Sequence, residues 1–137
     1  MEGEIIKFFR ERNKLTQSQL GEGICTTTHV SKIERGKTAY SEEIITLFSE
    51  RLSINLRHEI DNLDKVETLL RQWQRAITMK RVEEMTDIKN ELDRITIVQS
   101  NHFINRYRLL NARHLLIQKN DPKHSKSWNV SKKSLRI

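Results

Sequence analysis

Apolar residues recur every three or four positions through most of the chain. The clearest run steps by three, three, four, three and four residues through Ile60, Leu63, Val66, Leu70, Trp73 and Ile77. Spacing of this kind places one apolar stripe along an α-helix. Four Gly and one Pro in 137 residues leave few turn residues for a β architecture. The sequence therefore predicts an all-α protein.

Two more stripes of the same kind follow, separated by breaks near residues 79–81 and 96–100. Their members are Val82, Met85, Ile88, Leu92 and Ile95, and then Phe103, Tyr107, Leu110, His114 and Ile117. We expect these segments to pack as antiparallel helices, with Trp73 and Tyr107 in the core rather than in a ligand pocket. An offset of 34 residues, the length of a tetratricopeptide helix pair, places Trp73 on Tyr107. Two unrelated amphipathic helices can also agree at one offset, so the repeat interpretation stays open.

The first fifty residues are divided by capping and stop signals into four short helices. The first runs from about residue 4 to residue 13, and the third ends near residue 35. The caps and stops are Thr16 with Gln19, Thr26 or Thr27, Gly36 and Ser41. Four short helices in so few residues indicate one small compact domain, for which we take residues 1–53.

The segment Leu15-Thr16-Gln17-x-x-Leu20, followed by Val30-Ser31-Lys32-Ile33-Glu34-Arg35-Gly36, resembles the Xre or Cro/C1 type of helix-turn-helix. In that family the second helix braces against the DNA backbone and the third enters the major groove. The resemblance implies a helix-turn-helix DNA-binding domain. It also implies an internal ion pair between Arg10 and Glu34 that fastens the first helix to the third.

Candidate DNA-binding residues cluster around the third helix. A recognition helix needs short donors and acceptors on an exposed face near its N-terminal end, where side chains reach base edges. The residues that fit are Thr27, Thr28, His29, Ser31 and Lys32, and the flanking phosphate contacts would be Gln17, Lys37 and the amides that open helices two and three. The alternative for His29 and Lys32 is a solvated surface role, and one of the threonines at 26–28 serves as a cap.

The net charge of +7 is unevenly distributed along the chain. Residues 1–53 hold 8 Lys/Arg and 8 Asp/Glu, and residues 54–119 hold 12 and 9. Residues 120–137 hold 5 Lys/Arg and 1 Asp without a helical stripe, which predicts a basic, disordered tail. Because the helix-turn-helix segment is neutral, the argument for DNA binding rests on its pattern and not on bulk charge.

The layout of the whole chain resembles the peptide-pheromone-responsive regulators of Gram-positive bacteria, which join such a domain to a tetratricopeptide array. This resemblance implies that residues 54–119 form a tetratricopeptide-like linker or dimerisation region. In those regulators a signalling peptide lies in the groove of the full array. The pattern here stops after roughly one and a half units, whereas about three are usually needed. A signalling peptide therefore stays an open partner, and the chain could be a truncated family member.

Sequence signals for catalysis, metal binding or membrane insertion are lacking. The histidines are scattered, and Cys25 with His29 supplies only one pair of the ligands that zinc needs. We therefore expect no enzyme activity, cofactor or metal. No apolar stretch approaches the ~20 residues of a membrane span, and the acidic start Met-Glu-Gly-Glu is unlike a signal peptide, which together predict a cytoplasmic protein.

These patterns lead to two functional hypotheses. The first is a homodimeric transcription regulator that reads double-stranded DNA in a sequence-specific manner with the helix at residues 27–35. The alternative is a helical interaction module that titrates another regulator by heterodimerising through residues 54–119.

Overall fold

The computed structural model describes residues 1–120, and within them the chain is helical without a strand. The helices are α1 (Glu2–Arg12), α2 (Gln17–Gly21), α3 (Thr27–Glu34), α4 (Glu42–Leu52), α5 (Leu56–Thr78), α6 (Val82–Asp93) and α7 (Ile104–Asn120), with a 3-10 helix at Thr96–Gln99. The all-α prediction is confirmed. The tail predicted over residues 120–137 lies, from residue 121 onward, outside the described residues.

These helices divide into two compact units. The first unit comprises Met1–Glu67 and Ile95–Ile104, and the second comprises Thr68–Arg94 and residues 105–120. Helix α5 contributes to both. The first unit therefore includes the start of α5 and the segment at residues 95–104, which lie beyond the domain boundary that we placed at residue 53.

Local capping explains where the short helices begin. The Thr16 side chain accepts a hydrogen bond from the backbone N–H of Gln19 at 3.1 Å, and the Gln19 side chain accepts one from the Thr16 N–H at 2.8 Å. This is the predicted capping box. Ser41 caps α4 in the same way, since its Oγ accepts from the Ile44 N–H at 3.2 Å.

The start and end of α3 also follow from single residues. Thr26 is the cap, because its Oγ1 accepts a hydrogen bond from the backbone N–H of His29 at 3.1 Å. Two residues after the helix, Gly36 has φ +70°, the left-handed conformation expected of a stop. Since Thr26 takes the cap, the hydroxyls of Thr27 and Thr28 remain for other contacts.

The second unit is built on the predicted apolar stripes. Trp73 is fully buried, and its Nε1 donates a hydrogen bond to Nδ1 of His114 at 2.9 Å. The Tyr107 ring lies beside it, with the ring centroids 5.4 Å apart. Further buried residues of the stripes are Leu70, Ile77, Met85, Leu92 and Leu110. The core assignment of Trp73 is confirmed, whereas the tetratricopeptide-like character of the extension stays a prediction.

The two predicted breaks also lie at helix ends. Lys80 adopts φ +56° between α5 and α6, and Ile95 precedes the 3-10 helix. The α6 stripe ends earlier than its apolar spacing indicated, because the helix stops at Asp93. Among residues 1–120, no helix has the length and apolarity to cross a membrane.

Candidate nucleic-acid interface

Helices α2 and α3 approach each other closely because Gly21 has no side chain. An ideal Cβ at Gly21 would lie 2.9 Å from Cγ2 of Val30, closer than normal carbon contacts. Leu20 and Val30 are fully buried beside this contact. The turn that follows α2 contains Gly23 with φ +75°, a conformation that favours glycine. Together these residues hold the two helices in close contact across a short turn.

A buried ionic network joins α3 to the two preceding helices. Glu34 accepts hydrogen bonds from Arg10 Nε at 2.6 Å and from Arg10 Nη2 at 3.1 Å. Arg10 also donates through Nη1 to the carbonyl oxygen of Leu15 at 2.8 Å. Both partners are withdrawn from solvent, with 9% of Arg10 and 5% of Glu34 exposed. The hydrogen bond from Glu34 raises the pKa of the Arg10 guanidinium above its ordinary value. The predicted ion pair is confirmed.

Gln17 belongs to the same network. Its Nε2 donates a hydrogen bond to Oε1 of Glu34 at 3.0 Å, and the side chain is half-buried. The sequence predicts that Gln17 contacts a phosphate. With one amide hydrogen committed to Glu34, one side-chain N–H of Gln17 remains for such a contact.

The outward face of α3 carries most of the candidate base contacts. Thr27, Thr28 and Lys32 are exposed, and Ser31 is half-buried. At 3.6 residues per turn these four positions share one side of the helix, whose centre points away from the buried Val30 and Ile33. His29 is half-buried and lies at the margin of this face by the same geometry. Lys37 is exposed just beyond the helix end.

Arg35 is a candidate contact that the sequence prediction missed. It is exposed, follows Ser31 by four positions, and its Nε donates to the Ser31 carbonyl oxygen at 3.3 Å. Spacings of three and four residues place side chains on one helix face, so the signal was present in the sequence. We therefore include Arg35 in the outward face of α3, which from here on denotes Thr27, Thr28, Ser31, Lys32 and Arg35.

Local charge on this surface differs from the neutral sum over residues 1–53. Between residues 23 and 41 the charged side chains are Lys32, Glu34, Arg35 and Lys37. Glu34 is buried against Arg10, so the exposed charge of this segment is entirely positive. The other acids of residues 1–53 lie on α1, on α4 and at Glu22. A basic surface of this kind attracts phosphates even when the domain has no net charge.

Arg51 of α4 fixes the end of α2, a role that the sequence did not reveal. Its Nη1 donates to the carbonyl oxygen of Leu20 at 3.0 Å and also to that of Glu22. Carbonyls in the last turn of a helix lack partners within the helix, so a guanidinium from another helix satisfies them. A single Arg near the end of α4 carries no signal for capping a different helix.

Cys25 lies half-buried in the turn between α2 and α3. Burial raises the pKa of its thiol, which favours the protonated and less reactive form. Within the described part of the chain, no group of three or more His, Cys, Asp and Glu side chains is arranged to hold a metal ion.

The family model described as helix-turn-helix matches residues 6–58, less than half of the chain. Residues 6–58 are a helix-turn-helix domain. The matched range contains α2, α3, α4, most of α1 and the start of α5. No curated protein and no solved structure matches the chain.

Identification of the helix-turn-helix domain agrees with the Xre or Cro/C1 resemblance. Domains of this type occur in DNA-binding transcription regulators, so the family supports that general function for the chain. The family match does not support the resemblance to peptide-pheromone regulators, because that resemblance also concerns residues outside the match.

A substitution at Gly3 tests how closely α1 packs against the end of α3. An ideal Cβ at Gly3 would lie 2.2 Å from the Ile33 carbonyl oxygen and 2.7 Å from that of Glu34. Backbone atoms cannot rotate away, so we expect Gly3→Ala to lower the free energy of unfolding by about 1–3 kcal/mol. Urea denaturation followed by circular dichroism measures this, with the exposed Lys7→Ala on the same helix as control. Equal unfolding midpoints for Gly3→Ala and the unsubstituted protein would contradict the close approach of α1 to α3.

Proposed function

We propose that the protein is a sequence-specific transcription regulator whose α3 reads the major groove of double-stranded DNA. The observation that carries the proposal is the outward face of α3, which presents hydroxyl and basic side chains within a helix-turn-helix domain. Short side chains near the N-terminal end of such a helix reach base edges when the helix enters the groove.

Each candidate residue has a role that follows from its chemistry. Lys32 suits the O6 and N7 acceptors of guanine, and Thr28 suits a base edge or the methyl group of thymine. Thr27 and Ser31 can donate to either bases or phosphates. For contacts to the DNA backbone on the two sides of the groove, the proposal assigns Gln17, His29, Arg35 and Lys37.

We further propose that the regulator binds as a homodimer. Two recognition helices of a dimer lie about 34 Å apart along the duplex, one helical turn, so the operator should be a palindrome. Residues 54–119 would supply the contact between the two copies as a tetratricopeptide-like region. The protein would act in the cytoplasm, where bacterial DNA is found, without enzymatic activity or a cofactor.

Replacing two residues of the outward face tests direct DNA reading. Selection from a random DNA pool provides a preferred site, and mobility shift then measures affinity for it. We expect Thr28→Ala combined with Lys32→Ala to weaken binding by about 2–4 kcal/mol, since one good base contact contributes about 1–3 kcal/mol. Measurements at about 50 and 200 mM salt separate base contacts from phosphate contacts, because loss of a phosphate contact lowers the salt dependence.

A matched control removes the same side-chain types elsewhere in the domain. Lys7 on α1 and Thr46 on α4 are both exposed and lie outside α3. Lys7→Ala combined with Thr46→Ala should therefore bind the selected site as the unsubstituted protein does. If the α3 variant instead kept its affinity at both salt concentrations, reading by α3 would be untenable.

A second candidate function is favoured by a separate observation on α7. Its side chains Leu109, Leu115 and Leu116 are 64%, 53% and 62% exposed. Exposed leucines in one helix are typical of a binding surface. They support the hypothesis of a helical interaction module that titrates another regulator through residues 54–119. Mobility shift with random genomic fragments separates the hypotheses, because a pure interaction module gives no shifted band.

A further inference from the structure

Helix α7 is apolar on two sides, and one of these sides packs into the second unit. His114 accepts the hydrogen bond from Trp73, and Leu110 is buried. Gln118 donates through Nε2 to Oγ1 of Thr86 at 3.1 Å, and the hydroxyl of Tyr107 donates to Asp93. Contacts at positions 107, 110, 114 and 118 mark a single inner side of the helix.

The other apolar side consists of Leu109, Ala112 and Leu116. These residues are spaced by three and four positions, and all three are exposed. At 100° per residue they lie away from the inner side that carries Leu110 and His114. Their spacing is that of the a, d and a positions of a coiled-coil heptad. We call these three residues the outer face of α7.

Basic residues border the outer face. With Leu109 at an a position, Arg108 occupies the preceding g position and Arg113 the following e position, and both are exposed. Helix α7 contains Arg106, Arg108, Arg113 and Lys119 but no acidic residue. Charges at e and g positions select the partner of a coiled-coil helix, because like charges across the seam repel and opposite charges attract.

A second copy of α7 fits this surface poorly. In a parallel pair, Arg108 of one copy would face Arg113 of the other, and an antiparallel pair would bring Arg106 near Arg113. Residues 121–137, which follow α7, carry 5 Lys/Arg against 1 Asp and so lack the complementary charge as well. Helix α6 is acidic, but Met85, Ile88 and Leu92 are buried and Val82 is half-buried, so α6 has no exposed apolar residue that could cover the outer face.

We propose that the outer face of α7 is a docking site for an acidic amphipathic helix of another protein. Leucines of the partner would cover Leu109 and Leu116, and its carboxylates would face Arg108 and Arg113. The proposal is independent of DNA reading because α7 lies outside the helix-turn-helix domain. It gives the interaction-module hypothesis a defined surface and a defined partner chemistry.

Two synthetic peptides of about three heptads test the docking site. Both have Leu at the a and d positions, and they differ by Glu or Lys at the e and g positions. Titration calorimetry with the full chain should show binding of the Glu peptide at least about tenfold tighter than the Lys peptide. Equal affinities, or no binding of the Glu peptide at about 0.1 mM, would overturn the proposal.

Substitutions on the chain locate the binding surface. Leu109→Gln combined with Leu116→Gln should weaken binding of the Glu peptide at least about tenfold. The matched control is Met79→Gln, since Met79 is also an exposed apolar residue but lies in the turn after α5. Reversing the charges with Arg108→Glu and Arg113→Glu should transfer the preference to the Lys peptide, which loss of folding cannot mimic.

Two further measurements distinguish the other outcomes. If sedimentation equilibrium revealed a dimer that Leu109→Gln with Leu116→Gln dissociates, the occupant would be a second copy and the proposal would be wrong. Mobility shift of the same variant should equal that of the unsubstituted protein. Failure of the docking site is thereby separated from failure of DNA binding.

Discussion

Glu34→Ala is expected to destabilise the helix-turn-helix domain by about 3–5 kcal/mol, because it leaves the Arg10 guanidinium buried without its counter-charge. Arg10 would lose two hydrogen bonds to the carboxylate, and Gln17 would lose the acceptor of its amide. An isolated charge in a site that is 9% exposed can recover only part of its hydration. Urea denaturation followed by circular dichroism measures the change.

Two further sets of substitutions show whether burial of the Arg10–Glu34 pair causes the loss of stability. Glu84 forms an exposed ion pair with Arg81 at 3.5 Å, so Glu84→Ala should change stability by less than about 0.5 kcal/mol. Replacing both buried partners, with Arg10→Met and Glu34→Leu, should recover much of the loss, since no unpaired charge remains. An effect of Glu34→Ala as small as that of Glu84→Ala would contradict the buried network.

Trp73→Ala is expected to destabilise the second unit by about 3–5 kcal/mol. The substitution empties a fully buried site, removes the ring contact with Tyr107 and leaves Nδ1 of His114 without the indole donor. Thermal unfolding of the full chain followed by circular dichroism detects the loss. If Trp73 instead lined an open groove, the melting curve would shift only slightly.

Trp73→Phe separates the hydrogen bond from the packing. Phenylalanine keeps much of the aromatic volume but cannot donate to His114, so we expect a smaller loss of about 1–3 kcal/mol. Gln74→Ala, an exposed position in the same helix, should lie within about 0.5 kcal/mol of the unsubstituted protein. If Trp73→Phe lowered the stability as much as Trp73→Ala, the cavity would contribute little to the loss.

Helix starts and stops were predictable because they depend on neighbouring residues in the chain. The capping box of Thr16 and Gln19, the cap at Ser41 and the left-handed Gly36 each involve at most four consecutive positions. Apolar periodicity likewise predicted the three long helices. The Arg10–Glu34 pair spans 24 positions, and only the family resemblance could indicate it.

The neutral net charge of residues 1–53 did not reveal the positive surface around α3, and the reason is physical. Composition counts Glu34 equally with exposed acids, although in the folded domain its charge is neutralised by Arg10. The positive surface formed by Lys32, Arg35 and Lys37 therefore emerges only when burial is known. Charge sums describe solvent-exposed character only where every counted side chain is exposed.

The amino-acid sequence itself determined where the helices begin and end, because caps, turns and apolar spacing set these positions locally. Only the tertiary structure decided that Gln17 bonds to Glu34, that Arg51 caps α2, and which side of α7 is left uncovered. The first two contacts join side chains that are distant in sequence. For α7, apolar periodicity cannot show which of the two apolar sides of the helix is packed. Contacts between helices set those choices, because they depend on where each helix lies and not on its own residues alone.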